Sequence, residues 1–168
     1  MDFEAVRARQ ATLKDRYRGD AATARTPLSA SADWRDRGIT TTVAGWAGDV
    51  RAGLHPATGG NGADACSGDM LLQALLGCAG VTLRSVAAAM RLEIRAVQLR
   101  ADGYFDARGT LGVDRSVPVG LQDVVVTAAL DTDADDATLA RLAELTERYC
   151  VVGQSLREMP RFVVERLN

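Results

Sequence analysis

The chain has 168 residues, 47% hydrophobic and 25% charged, with a net charge of -2 and a pI near 5.4, enough for one compact domain with a real core. Its basic residues are scattered rather than gathered into a block, which argues against nucleic acid as a partner. The start, MDFEAVRARQ, lacks the apolar region of a signal peptide, and no apolar run reaches the roughly 18 residues of a membrane span, so a cytoplasmic protein with no membrane partner is expected.

In residues 2–18, Phe3, Val6, Gln10, Leu13 and Tyr17 recur at three- and four-residue spacing. This predicts an amphipathic helix that stops at Gly19 and adds to the shell around the core. Residues 26–32, 39–44 and 49–54 read as short antiparallel strands, with turns at 33–38 and 45–48. A glycine-rich loop then leads to Ser67, a good N-cap, and to Asp69 in a first helical turn where the dipole favours it. The helix that follows, 68–90, carries a single charge, Arg84, between Asp69 and Arg91. A helix apolar all round is buried all round. One subunit this small can hardly enclose it, so a homodimer is expected. Residues 94–105 and 121–130 read as strands, 135–150 as an amphipathic helix and 161–167 as a last strand. The order is α+β, in one domain spanning 1–168 with residues 1–25 as an N-terminal helical extension.

Three cysteines without a signal peptide point to free or redox-active thiols rather than a disulfide framework. Cys78 shares a helical face with Leu71, Leu75 and Thr82, and Gly77 and Gly80 thin the bulk beside it, leaving room for a small molecule or a second helix. The same pattern suits an inert core cysteine. Cys150 ends a helical segment, and Cys66 precedes a helix start, where backbone donors favour a thiolate and make it an alternative nucleophile. Cys66 lies twelve positions from Cys78. In a helix that is about 18 Å, too far for a disulfide. Cys150 is then the remaining candidate partner within a chain. No CxxC or HxxxH spacing suggests zinc, and no GxSxG, GKS or GxGxxG pattern is present.

The stretch GGNGADACSGDMLLQALLGC, with its Gly-Gly turn, short loop and capped helix of the "PxELLLAALGxC" kind ending in a cysteine, resembles the hallmark of the OsmC/Ohr family. A second cysteine late in the chain, Cys150, matches as well, and the likeness extends over residues 26–168. The resemblance implies an α+β fold of antiparallel sheets around a long buried central helix, an intertwined homodimer and a thiol peroxidase without cofactor or metal. In that chemistry Cys78 is the peroxidatic thiol, Cys150 closes a disulfide on its sulfenic acid, and an external dithiol reduces the pair. Leu71, Leu75 and Val81 would favour an organic hydroperoxide. The same apolar surround raises a thiol pKa, so a compensating cation is expected.

Several positions depart from the family pattern. The family places a Glu just before the Gly-Gly turn, where it orients an arginine over the thiolate. Counting back from Gly59, that position is Ala57. Arg37 and Arg51 are both candidates for the arginine, and His55, the only histidine, is a candidate polar contact. The Cys-Pro of many relatives is Cys150-Val151 here. Two functions follow: a peroxidase, or a noncatalytic protein of the same fold that binds a small apolar ligand.

Overall fold

The computed structural model describes residues 3–167. It opens with α1 (Phe3–Gly19) and a 3-10 turn at Ala21–Ala24. Four short strands follow, β1 (Ala32–Asp33), β2 (Thr40–Val43), β3 (Val50–Gly53) and β4 (Ala65–Cys66), with a second 3-10 turn at Pro56–Thr58. The central helix α2 spans Ser67–Ala89. After it come β5 (Ala96–Tyr104), α3 (Ala107–Thr110), β6 (Gln122–Asp131), α4 (Asp136–Tyr149), α5 (Val151–Gln154) and β7 (Arg161–Arg166).

Two mixed sheets replace the expected antiparallel ones. In the first, ordered β1-β2-β3-β4, the β1-β2 and β2-β3 pairs are antiparallel, whereas β3 and β4 run parallel, Gly53 opposite Cys66. In the second, ordered β5-β6-β7, β5 and β6 form a hairpin-like antiparallel ladder and β7 joins β6 in parallel. The parallel pairing has a plain cause: α4 and α5 lie between β6 and β7 in sequence and carry the chain back to the end where β6 began. The predicted strand at 26–32 shrinks to Ala32–Asp33, because residues 26–31, with Pro27 among them, have no strand to pair with.

The core forms where α2 lies across the second sheet. Leu75, Ala79, Leu83, Val86 and Ala87 line one face of α2. They meet alternate residues of β6 (Val124, Val126, Ala128, Leu130) and the apolar stripe Leu139 and Leu142 of α4. The period of two on β6 and the period near 3.6 on both helices bring these apolar side chains to the shared side. Asp135 caps α4, its carboxylate accepting the Thr138 N–H at 2.8 Å. The start of α2 differs from the prediction: Cys66, not Ser67, is its N-cap residue, and the Cys66 side chain makes no capping hydrogen bond.

Two further expectations change. By length and composition α2 could cross a membrane, although it packs against α4, α5 and β5 as a core helix does. As the sequence led one to expect, α2 is not enclosed within one chain, since Val81 is 74% exposed on the face away from the core. The N-terminal helix adds nothing to the core shell of its own chain. Nearly all of its described side chains are exposed, and its one substantial neighbour is the 3-10 turn that follows it.

Candidate active site: a pair of unequal thiols

Cys78 sits in the middle of α2, half-buried, at the margin of the core cluster that contains Leu75, Ala79, Val126 and fully buried Cys150. Cys150 ends α4 and starts α5, so the chain turns there. Its Sγ accepts the Gly153 N–H at 3.4 Å, capping the short helix. A cap at this point turns the first free amides of α5, those of Val151 and Val152, toward α2 and Cys78.

The two thiols are electrostatically unequal. Burial pushes Cys78 up, but the Val152 N–H, the Cys150 thiol, the Thr82 hydroxyl and the Val151 N–H outweigh it, and its pKa lies below that of an ordinary thiol. For Cys150, burial again acts first and pushes up; the Gly153 amide offsets part of this, while the nearby Cys78 sulfur raises it further. Of the two, Cys78 is the thiol that gives up its proton more readily and Cys150 the one that holds it more firmly. A thiolate beside a protonated partner is the arrangement a nucleophile and its resolving thiol require.

The glycines flanking Cys78 have separate reasons. A Cβ on Gly80 would come within 2.8 Å of Leu99 Cδ1, so a larger residue there would make the Leu99 side chain of β5 move. A Cβ on Gly77 would meet nothing, because Gly77 faces the uncovered side of the helix with Leu71 and Val81.

Arg51, Arg37 and His55 are not among the groups acting on Cys78 within the chain. Arg51 is held between Asp36 and Asp64, at 3.0 Å from each, tying the glycine-rich loop to the first sheet. Arg37 lies exposed in the bend between β1 and β2. His55 caps the 3-10 turn, its Nδ1 accepting the Ala57 N–H at 3.0 Å, and its ring meets Phe105 edge-on at 5.4 Å. Ala57 thus belongs to a tight turn that ends at Gly59, whose φ of +95° favours glycine.

Letter by letter against PxELLLAALGxC, residues 67–78 place Asp69 under the Glu. Asp69 stands nine residues before Cys78 on the same helix, which is about 13 to 14 Å, so it cannot serve the thiol of its own chain. The donors that sequence reading missed are the Val151 and Val152 amides. Their signal was a helix-ending cysteine followed at once by a second short helix. Among the described residues, no three His, Cys, Asp or Glu side chains gather as a metal site.

An α+β protein with a central helix bearing one thiol and a helix junction bearing the other defines the class. The chain belongs to the OsmC-like protein family, whose sequence profile matches residues 59–165. It is similar to an organic hydroperoxide resistance protein from Elizabethkingia anophelis, with a TM-score of 0.68 at 14% identity over 85% of this chain and 99% of that one. It is also similar to an OsmC-like protein of unknown function from Vibrio cholerae, with a TM-score of 0.66 at 15% identity over 85% and 100% of the two chains. A third likeness is to an organic hydroperoxide resistance protein from Legionella pneumophila, with a TM-score of 0.64 at 14% identity over 86% and 100%. Identities this low carry the fold alone. No curated protein matches the sequence.

Proposed function

We propose that the protein is a cytoplasmic thiol peroxidase that reduces organic hydroperoxides through Cys78 and Cys150. The observation that carries this reading is the contact between two unequal thiols, one favouring the thiolate and one keeping its proton.

The Cys78 thiolate attacks the terminal oxygen of the hydroperoxide. An S–O bond forms, the O–O bond breaks, and the departing alkoxide takes a proton and leaves as the alcohol. Cys78 becomes a sulfenic acid. Cys150 then attacks that sulfur, an S–S bond forms and water leaves, which protects Cys78 from over-oxidation. An external dithiol returns both sulfurs to the reduced state by exchange. The protein's own contribution is the set of neutral donors, from Val151, Val152 and Thr82, that holds the negative sulfur in a partly apolar place. The apolar side chains of Leu71 and Val81, uncovered beside Cys78, favour a substrate with an organic tail over hydrogen peroxide.

The functional unit is a homodimer. The uncovered side of α2 exposes Ala74, Gly77 and Val81 next to Gln73 and Arg84, and a second copy would supply the cover for its apolar part.

A second reading, a noncatalytic binder of a small apolar ligand, is favoured by one observation: among the described residues, no arginine ranks with the main influences on the Cys78 thiol. Thiol titration before and after one equivalent of cumene hydroperoxide separates the two. Loss of two thiols per chain supports the peroxidase, and no loss supports the binder.

A further inference from the structure

The amides that act on Cys78 belong to a segment with little of its own to hold it. α5 is a single turn, Val151–Gln154, too short to persist alone. Two of its bonds are local: the Gln154 N–H donates to the Cys150 carbonyl at 2.9 Å, and the Ser155 hydroxyl donates to the Val151 carbonyl at 2.7 Å. These shape the turn without tying it to the rest of the fold. The bond from the Gly153 N–H to the Cys150 sulfur, at 3.4 Å, uses a weak acceptor.

The inner side of the turn is fixed by packing. Val152 and Leu156 lie against the cluster of Leu75, Ala79 and Cys150, and a Cβ on Gly153 would stand 3.4 Å from both the Cys150 sulfur and Pro160 Cγ. The outer side is fixed by one side chain. Gln154 Nε2 donates to the Glu147 carbonyl at 3.0 Å and to Met159 Sδ at 3.0 Å. Glu147 lies in the last turn of α4, where carbonyls lack a partner within the helix. Met159 precedes Pro160, which is fully buried. A primary amide has two N–H groups, the number of acceptors it meets here. Gln154 thus joins the end of α4, α5 and the approach to β7 around the point where Cys150 is buried.

We propose that Gln154 is a positioning residue for the thiol pair: its side-chain amide holds α5 against α2, so that the Val151 and Val152 N–H groups and the Cys150 sulfur stay turned toward Cys78. Neither of its side-chain bonds is to a sulfur of the pair, so it acts through the backbone it fixes. Gln154 is exposed, and water competes for both bonds, so they add little to the stability of the whole fold. What they set is a direction. Two consequences follow from losing it. The Cys78 thiolate has fewer donors facing it, and Cys150 meets the Cys78 sulfenic acid less often, which leaves that acid open to a second peroxide. The consequence for turnover rests on the peroxidase reading, whereas the consequence for the Cys78 proton does not.

The test uses the full chain on a Cys66→Ser background, so that the pair alone titrates. Gln154→Met keeps the length and the helix preference of the side chain but has no N–H to give. Met159→Leu removes one of the two acceptors and leaves Gln154 in place. Thiolate absorbance is followed against pH with no peroxide present. Single-turnover consumption of cumene hydroperoxide is then followed against pH, and intact mass gives the ratio of disulfide to sulfinic acid. In Gln154→Met the first thiolate is expected to appear at higher pH than in the parent. Peroxide consumption should be a few-fold slower at neutral pH and equal to the parent's above both pKa values, with more sulfinic acid and a nearly unchanged unfolding midpoint. Met159→Leu should show the same changes in smaller measure. A Gln154→Met titration identical to the parent's, or a loss of rate equal at every pH, would overturn the proposal. A shifted titration in a protein that consumes no hydroperoxide would support the positioning role and remove the peroxidase reading instead.

Discussion

Replacing Thr82 with valine tests the electrostatics of the thiol pair without changing its shape. Thr82 lies one helical turn beyond Cys78, half-buried, and its hydroxyl is one of four donors acting on the sulfur. A hydrogen bond to a charged group contributes about 1.5 to 3 kcal/mol, and one pKa unit corresponds to about 1.4 kcal/mol. Losing one such group is expected to raise the Cys78 pKa and, below it, to leave less thiolate. A more basic thiolate is also a better nucleophile, with a Brønsted slope near 0.4 to 0.5, so part of the loss is returned. The net expectation is a peroxide reaction a few-fold slower at acidic and neutral pH. At pH values above both pKa values the variant should match or exceed the parent. The assay is the pH profile of single-turnover peroxide consumption, with the ultraviolet absorbance of the thiolate as an independent titration. An unmoved titration in a folded variant would refute the role given to Thr82, and a uniform loss at all pH values would mean that the hydroxyl acts on geometry instead.

Other perturbations follow the same geometry. Cys78→Ser is expected to abolish peroxide consumption, whereas Cys150→Ser should allow one turnover and then accumulate sulfenic or sulfinic acid on Cys78, as read by mass spectrometry. Leu75 is fully buried between α2 and β6, so Leu75→Ala should destabilise the fold by about 2 to 5 kcal/mol in denaturant unfolding. Light scattering at micromolar concentration should give a dimer, and Val81→Glu, on the uncovered face of α2, should yield monomers.

The elements that could be read from the sequence were those with strong periodicity. The apolar run of α2, the alternation of β6 and the capped stripe of α4 gave their spans to within a residue or two of the structure. Strand direction was not legible, because parallel and antiparallel pairing depend on what the connecting segments do, and β4 has only two residues to reveal itself. That one chain leaves part of α2 uncovered was legible, because a helix this apolar exceeds what a subunit of this size can enclose. At the thiol site Cys78 and Cys150 were legible through the family resemblance. The surrounding donors were not, since two are backbone amides that carry no side-chain signature. The search for a cation led to Arg51 and Arg37. The structure assigns the first to two aspartates and leaves the second on the surface. His55, read as a contact for Cys78, instead fixes a turn and lines the same hollow as Cys66.

The most direct test of the peroxidase reading is a count of free thiols on the reduced protein before and after one equivalent of cumene hydroperoxide, followed by peptide mapping without reductant. The expected result is the loss of two thiols per chain and a single new linkage joining the peptides of Cys78 and Cys150, with Cys66 still free. Three thiols remaining, or a linkage that includes Cys66, would contradict it.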